Sequence, residues 1–442
     1  MYFEIYKKGN LIKRGKDILS DLGWDNELML TPSLRLTLPI YYLDYISGRE
    51  EIKVFVNDKC FFGIVTDIEV DKESETMDVD LEHIVDEWTY RQISVNNAIK
   101  DKKINVIYKE ATKEDPLEGD PSVVDQLTDI YEDTNFAYPG WKLNFSDKAK
   151  STDIDYVYSR QDKLEALTKT MELTDDLFWR VRFVPDKEID ISEFGEKKPY
   201  IISTKPSGKT NIRMISEPVI DYDFENVINL ATVYSEKSDS GMSSMTLREV
   251  YNNPSLQKSG FPVVILRNNV NNERDYRMYA TQYPKLAPNN ELEYAVIDEA
   301  SVALENGVLI EGTYAFNDLS PFTPDTDKNG KTKEVSDADR IKASVTAYKA
   351  TIKRLKQARR SYKIKVETEQ IPVDLNVGDR VRLLYDNRIF NLDACSDYFK
   401  KILSYDDWFY LTRIDYRFSG DVETNTLTLE KHLKIDRSIS NQ

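Results

Sequence analysis

The chain has 442 residues, of which 40% are hydrophobic and 31% charged, and its formal net charge is −17 at neutral pH. A chain of this length is expected to form about three domains with apolar cores of their own. The acidic balance argues against binding nucleic acid by simple electrostatic attraction, which needs a basic surface. No apolar run approaches the roughly 18 residues of a membrane span, and the first residues lack the apolar core of a signal peptide, so we expect a protein made and folded in a cytoplasm.

Residues 1–95 are predicted to be mostly strand. An alternating apolar segment runs from Trp24 to Leu38, and Asn57-Asp58 is typical of a two-residue hairpin connection. The region therefore predicts a first small antiparallel β-barrel, which residues 206–240 are candidates for completing.

Residues 96–205 predict an α+β domain inserted into this scaffold. Residues 121–131 and 162–173 present apolar side chains at helical spacing, and the alternating segment Phe178–Val184 predicts a strand. Within the domain, residues 110–133 carry nine acidic side chains and a single basic one.

Residues 241–335 predict an irregular, partly β connecting domain. Ser235–Ser244 has the composition of a loop, residues 252–290 give no periodic signal, and Phe316–Val335 predicts a long loop that leads into a helix.

Residues 336–442 predict a long helix followed by a second β-barrel domain. The helix is expected from about Ser336 to Arg360, because apolar side chains recur there every three or four positions, at Ile341, Val345, Tyr348, Ile352, Leu355 and Ala358.

The stretch from Ile341 to Lys365 holds nine basic residues and no acidic one. One interpretation is a nucleic-acid-binding face. Given the acidic chain, a solvated face, or a face docked on an acidic neighbour such as residues 110–133, is favoured.

The second barrel repeats the first. Three strand patterns recur in order and with the same parity of apolar positions, and a one-residue slip would turn every such side chain to the opposite face. The pairs are Gly48–Asn57 with Gly378–Asp386, Ile64–Val70 with Tyr410–Tyr416, and Glu75–Glu82 with Glu423–Glu430.

The sequence nominates no catalytic, cofactor-binding or metal-binding residue. His83 and His432 follow the last predicted strand of each copy, which favours a structural position, and Cys60 and Cys395 are too few for a disulfide framework. Asp325–Gly330 matches the first half of a calcium loop, but Ser336 stands where the bidentate Glu is needed, so an acidic turn is the favoured interpretation. A pair of hydrolytic carboxylates cannot be selected from 77 acidic residues.

Taken together, the repeat and the helix before its second copy resemble the tail hub proteins of siphophages. These tail-associated or tail-tip proteins are similar in fold to the baseplate hub of contractile-tailed phages. The phrases that carry the resemblance are Phe316–Phe322, Ile341–Arg360, Val377–Val381, Phe409–Ile414 and Glu423–Leu429.

The resemblance implies a β-dominated, multidomain α+β chain with two related tube-type β-barrel domains, assembled as a homotrimeric ring. Six similar barrels would then surround one axis and continue a six-fold tail tube. It further implies a structural protein of the virion, at the distal end of the tail, that is assembled in the host cytoplasm and is not an enzyme. Its implied partners are a distal tail protein above, tip, fibre or receptor-binding proteins around or below, and DNA that passes through without specific binding.

Two alternatives stay open. The first is a carboxylate-dependent cell-wall hydrolase of the tail tip, with its site in the middle domain. Many relatives continue into a peptidase, muramidase or fibre-like region, and this sequence ends at Gln442, about ten residues past the last predicted strand, so we expect cell-wall degradation to come from another protein. The second is the hub of a contractile injection or secretion machine, which shares the architecture.

Overall fold

The computed structural model is rich in β-strands. It describes residues 1–90, 140–152, 162–174, 176–204, 210–223, 227–237, 241–244, 247–257, 260, 262–266, 294–315, 337–385 and 404–433. Four features of the sequence lie outside these residues: the acidic segment 110–133 with its predicted helix, the loop Phe316–Val335 with its half calcium motif, Cys395, and most of residues 252–290. Among the described helices, none is long and apolar enough to cross a membrane.

The N-terminal strands form an antiparallel sheet in the order β2-β1-β5-β6-β7-β4. We call this sheet the first module. Leu34, Leu36 and Leu38 are buried in it, as their alternation predicts, and Asn57-Asp58 forms the predicted hairpin. The strands of this part of the chain are β1 (Tyr2–Lys7), β2 (Asn10–Gly15), β3 (Leu22–Glu27), β4 (Ser33–Pro39), β5 (Glu51–Val56), β6 (Lys59–Asp71) and β7 (Thr76–His83).

A small sheet in the order β8-β10-β9 follows, with two helices beside it, and we call it the middle region. Asp162 caps the second helix by accepting a hydrogen bond from the Glu165 backbone N–H at 2.7 Å. The helix predicted over residues 162–173 is therefore confirmed, whereas the strand at Phe178 ends before the predicted Val184. The elements are β8 (Trp141–Phe145), α1 (Asp147–Ser151), α2 (Lys163–Glu172), β9 (Phe178–Val181) and β10 (Lys187–Ser192).

Three short strands come next, and their partners lie elsewhere in the chain: β11 (Lys197–Ser203), β12 (Asn211–Arg213) and β13 (Val219–Asp223). A further sheet then forms in the order β15-β14-β17-β16, with β18 parallel to β14. Its elements are β14 (Leu230–Lys237), β15 (Gly241–Ser244), α3 (Arg248–Asn252), β16 (Val263–Leu266), β17 (Tyr294–Ile297), α4 (Glu299–Leu304) and β18 (Glu311–Ala315). The loop predicted over Ser235–Ser244 is wrong, because the ends of that segment pair with each other in the β14–β15 hairpin.

The long helix, α5, spans Asp337–Gln357. Tyr348, Ile352 and Leu355 of its predicted apolar seam are buried, but Ile341 is 40% exposed, so the buried seam begins further along the helix than predicted.

The chain ends in a second large sheet, which we call the second module. Its strand order is β12-β11-β20-β21-β22-β19-β13, and β3 of the N-terminal region also pairs with β21. Residues 206–240 therefore do not complete the first sheet as predicted: β13 pairs with β19, and β14 belongs to the third sheet. The remaining strands are β19 (Ser361–Glu369), β20 (Arg380–Tyr385), β21 (Tyr405–Ser419) and β22 (Val422–Glu430).

Neither module is a closed barrel over the residues that the structure describes. The outermost strands are β2 and β4 in the first module, where the Leu19 N–H donates to the Thr37 carbonyl of β4 at 2.9 Å, and β12 and β13 in the second, where the isolated bridge Met214–Thr368 links the chain after β12 to β19. The prediction of barrels is corrected to two related open sheets, while the domain boundaries themselves stay a prediction.

The two modules repeat each other in hydrogen-bonding register. The pairing of β6 with β7 shifts at Thr66, and the pairing of β21 with β22 shifts at Thr412. Such shifts are β-bulges, in which one extra residue bends a strand. The Thr66 hydroxyl donates to the Asp80 carbonyl at 3.2 Å, and Thr412 lies 3.3 Å from the Thr428 carbonyl in the same way. The repeat inferred from parity therefore extends to an irregularity that parity alone does not predict.

The turn before each repeat is also the same. The Glu50 carboxylate accepts a hydrogen bond from the Ser47 backbone N–H, and the Asp379 carboxylate accepts one from the Asn376 backbone N–H, each at 3.0 Å. This equivalence corrects the sequence alignment by one residue, because it places Gly48 opposite Val377 instead of Gly378.

Replacing Thr412 with Val should lower the free energy of unfolding by about 1–3 kcal/mol. The buried hydroxyl lies 3.0 Å from the Glu430 carboxylate, and the substitution removes that donor from a buried acceptor. Thr66→Val at the equivalent but exposed bulge is the matched control, for which we expect a change of about 0.5 kcal/mol or less. Urea denaturation followed by tryptophan fluorescence measures both, and equal losses would contradict the assignment.

Candidate functional site at the junction of the modules

Strand β3 joins the two modules. It follows β2 of the first module in sequence, yet it pairs antiparallel with the second half of β21, with Trp24 opposite Tyr416 and Glu27 opposite Arg413. Backbone hydrogen bonds therefore connect parts of the chain that lie 386 positions apart. A strand that lies between β2 and β4 of the first module in sequence is therefore part of the second module's sheet.

An aromatic cluster centred on Trp24 fills the space behind this strand. The Trp24 ring lies 4.7–5.5 Å from four other rings, measured between centroids: Phe61 of the first module, Phe183 beside the middle region, and Tyr416 and Phe418 of the second module. Aromatic pairs at these distances contribute about 0.5–1.5 kcal/mol beyond area burial. Burial also raises the pKa of Tyr416 above its usual range. One indole thus packs against all three parts of the chain.

Arg413 connects the same strands by charge. Its guanidinium lies 3.3 Å from Asp25 and 2.7 Å from Asp415, and it donates a short hydrogen bond to Glu27. Since charge-assisted hydrogen bonds of arginine are directional, this contact fixes the register of β3 on β21 as well as adding attraction.

A buried ion pair joins the hairpins of the two modules. Lys59, at the start of β6, places its Nζ 3.1 Å from the Glu423 carboxylate of β22 and also donates to the Ile371 carbonyl at 3.2 Å. Asn57 donates to the same carboxylate at 3.2 Å. Both charged side chains are 2% exposed or less, and Lys59 also lies 3.1 Å from the Asp58 carboxylate.

Two further cations connect the middle region to the modules. Arg180 of β9 lies 3.1 Å from Asp379 of the second module and donates to the Val377 carbonyl at 2.6 Å. Burial raises the pKa of Asp379, and the Arg180 charge opposes that rise. Lys187 of β10 lies 2.9 Å from Glu87 and 3.3 Å from Glu51, both at the first module.

Lys353 extends from α5 into the middle region. Its Nζ donates to the carbonyls of Met171 and Leu177 at 2.7 and 2.6 Å and lies 4.1 Å from the centre of the Phe178 ring. The prediction that the basic helix presents a solvated face is therefore wrong at this position. The helical spacing of apolar residues could have indicated the burial of Lys353, because this residue is next to the apolar position Ile352 and so lies at the edge of the buried seam.

The histidines named in the sequence occupy different positions. His83 is the last residue of β7 and is buried, where its Nδ1 accepts a hydrogen bond from the Val85 backbone N–H at 3.2 Å. Burial lowers the pKa of His83 to about 3. His432 is exposed, and the repeat register places Lys431 at the position equivalent to His83. The two histidines thus do not occupy equivalent positions in the repeat, although His83 ends the last strand of the first module and His432 follows the last strand of the second.

Cys60 lies buried in β6, and burial raises the pKa of its thiol to about 12. Within the described residues, no group of three or more His, Cys, Asp and Glu side chains lies close enough together to hold a metal ion. The junction thus combines strand pairing, ring packing and paired charges between the modules.

No protein-family model matches the chain, and no curated protein sequence matches it either. Among solved structures, it is similar to a tail protein from Neisseria meningitidis, with a TM-score of 0.50 and 10% identity over 97% of this chain and 95% of that one. It also matches a prophage tail protein from Listeria monocytogenes, with a TM-score of 0.48 and 12% identity over 100% of this chain and 97% of that one. A prophage MuSo2 tail protein from Shewanella oneidensis matches with a TM-score of 0.48 and 9% identity over 97% and 98%.

The chain has the fold of a tail protein. The similarity to the Neisseria structure extends over nearly the whole of both chains, so the two modules and the middle region all belong to this tail-protein fold. The resemblance inferred from the repeated strands and the long helix is confirmed at the level of fold.

Breaking the Lys59–Glu423 pair tests the junction of the tail-protein fold. Lys59→Met should lower the free energy of unfolding by about 3–5 kcal/mol, because it leaves a buried carboxylate without its counter-charge. The double variant Lys59→Met, Glu423→Gln should recover part of that loss, since both charges are then removed. Denaturation of all four proteins forms a double-mutant cycle, and additive losses would show that the two side chains do not interact.

The burial of His83 predicts a pH dependence. A folded-state pKa of about 3, below the ordinary 6.5, means that the unfolded chain binds the proton more readily, so the stability due to neutral His83 is present above pH 6.5 and is lost as the pH falls toward 3. Between pH 6.5 and 5, the wild type should lose about 2 kcal/mol relative to His83→Gln, whose side chain does not titrate. Parallel stability curves for the two proteins would contradict this prediction.

Proposed function

We propose that the chain is a structural hub protein of a phage tail tip, which assembles as a homotrimer and adapts a six-fold tail tube to the tip. The observation that carries the proposal is the repeat itself: two modules with the same strand register and the same bulge, held together within one chain by β3. The tail-protein fold supports a role in a tail, and the duplication supports the hub.

Symmetry explains why a duplicated module suits this role. A closed ring needs contacts that return on themselves, and subunits with two similar modules can match three-fold to six-fold symmetry. Three chains with two modules each supply six similar units around an axis. The junction described above would then be one of two kinds of contact in the ring, the one made inside each chain.

The acidic charge supports a channel for DNA. Each chain carries a net charge of −17, and part of this charge is proposed to line the lumen. There it would repel phosphates within a Debye length of about 8 Å and keep the passing genome mobile. The proposed location is the distal end of the virion tail, after assembly in the host cytoplasm. The proposed neighbours are a distal tail protein above and tip, fibre or receptor-binding proteins around or below.

The proposal includes no enzymatic activity. Carboxylates whose pKa is raised by burial, such as Glu87 and Asp379, lie against Lys187 and Arg180 of the junction, where they hold the modules together. A zymogram on purified cell wall is the direct test of the hydrolase alternative, and a cleared zone at the mass of this chain would favour that alternative.

The trimer predicts a particle of three times the 51.3 kDa chain mass. Light scattering during size-exclusion chromatography measures that mass, and negative-stain images processed without imposed symmetry should show rings with three or six repeats. A chain that stays monomeric across the accessible concentration range would count against the hub.

A further inference from the structure

We propose that the acidic segment of this chain, residues 110–133, docks on an apolar and basic surface of the first module. The surface is formed by the β1–β2 hairpin, the residues that follow it as far as Leu19, and the short 3₁₀ helix Ile40–Asp44. We call it the hairpin surface. This docking takes place within one chain and does not depend on the proposed trimer.

The hairpin surface exposes large apolar side chains. Strand β2 is the outermost strand of its sheet, and within the described residues it pairs only with β1. Outer strands with exposed apolar side chains are sites where another segment adds, and folded proteins normally protect them. Five such side chains on this surface are between 36% and 56% exposed: Leu11, Ile12, Leu19, Tyr41 and Leu43.

Side-chain contacts connect the hairpin to the 3₁₀ helix. The Lys13 ammonium lies 4.7 Å from the centre of the Tyr45 ring and 5.9 Å from that of Tyr42. The Asp17 carboxylate accepts hydrogen bonds from the hydroxyls of Tyr41 and Tyr42, at 2.7 and 3.0 Å. The exposed apolar side chains on both elements therefore belong to one surface.

The hairpin surface is basic, although the chain as a whole is acidic. Residues 5–16 contain five basic side chains and no acidic one. Lys8, Lys13 and Lys16 form no ion pair within the described residues, and they outnumber the acidic residues of the surface, Asp17 and Asp44. The other two basic side chains already have carboxylate partners, Lys7 with Glu50 at 3.3 Å and Arg14 with Glu4. Three lysines thus remain for an acidic partner.

The acidic segment has the complementary composition. It carries nine acidic side chains and one basic one, and Val124, Leu127 and Tyr131 recur in it at helical spacing. The basic helix α5 is a poorer partner for it, because cations of that helix are used inside the fold. Lys353 donates to two carbonyls, and Arg354 lies 3.8 Å from Glu172. The hairpin surface offers both lysines and apolar side chains to the segment.

The chain leaves the described residues beside the hairpin. Tyr90 is the last residue before the gap, and its ring lies 4.2 Å from the Arg49 guanidinium. Arg49 is followed by Glu50, which pairs with Lys7 at the end of β1. The chain that leads to the acidic segment therefore begins next to the hairpin.

The chain also returns nearby. Trp141 packs against Trp88, two residues before Tyr90, with 5.4 Å between ring centroids. The connections from Tyr90 to residue 110 and from residue 133 to Gly140 have 19 and 6 residues. At about 3.3–3.6 Å per residue, they span at most about 70 Å and about 25 Å. Both ends of the segment are thus tethered near the hairpin surface, which raises its effective concentration there.

Zero-length cross-linking of the full-length chain tests this docking. A carbodiimide joins a lysine amine to a carboxylate only where the two groups are in contact. We expect Lys8, Lys13 or Lys16 to be joined to acidic side chains of residues 110–133, in a product that keeps the monomer mass of 51.3 kDa on a denaturing gel.

Two results would overturn the inference. The same cross-linked peptides in a product of twice the monomer mass would show that a second copy supplies the segment, and their absence would show that the segment does not dock here. A chain that stays monomeric but gives the expected cross-links would contradict the hub proposal and support this docking.

The double variant Leu11→Asp, Ile12→Asp distinguishes docking from loose attraction between opposite charges. It removes apolar contacts and adds negative charge against an acidic segment, so the yield of cross-links should fall at least about tenfold. Val124→Asp with Leu127→Asp should have the same effect without altering the hairpin. Val422→Asp, at an exposed apolar residue of β22, is the control and should keep the wild-type yield. Double variants that cross-link like this control would overturn the inference.

Discussion

The pairing of β3 with β21 is the constraint on which the rest of the structure depends. It places a strand from the N-terminal part of the chain inside a sheet whose other strands come from residues after 196. The middle region contacts both modules, and Trp24 packs against rings from all three parts. Non-local strand pairing of this kind has a large loop-closure cost, which the aromatic cluster and the Arg413 contacts help to offset.

The buried cations determine how the modules are arranged at the junction more than they increase its stability. Taking Lys59 and Glu423 out of water costs several kcal/mol for each ion, and their attraction returns that energy only when the geometry is good. Lys59, Arg180 and Lys187 each meet acceptors from another part of the chain, so these contacts form together only when the modules and the middle region dock in one arrangement. Apolar contacts alone would tolerate small rotations at these positions. The charged contacts penalise such rotations.

Local sequence patterns predicted a good part of this fold, whereas the pairing of strands from distant parts of the chain could not be predicted from them. Parity at Leu34, Leu36 and Leu38 and helical spacing through Ile352 depend on near neighbours, so they are readable from sequence. Strand β3 pairs with β21, which lies almost the whole chain away. The alternating pattern of a short strand does not indicate which other strand it will pair with. For the same reason, the expectation that residues 206–240 complete the first sheet was wrong. The sequence pattern of these strands is the same whether they join the first sheet or another one. The burial of Lys353 was not predicted, because the charge composition describes a whole helix face. The position of this one side chain depends on its hydrogen bonds to two carbonyls.

The two copies of the repeat have the same backbone arrangement but different surroundings. Thr66 and Thr412 occupy the same bulge, yet one is exposed and the other buried. The residue is identical, so the difference comes from its surroundings: the Thr412 hydroxyl lies 3.0 Å from the buried Glu430 carboxylate, whereas Thr66 is exposed to solvent. Val70, at the position equivalent to the buried Tyr416, is likewise 38% exposed. Equivalent strands in the two modules therefore share their local geometry, while the elements beside them determine how much of each strand is buried.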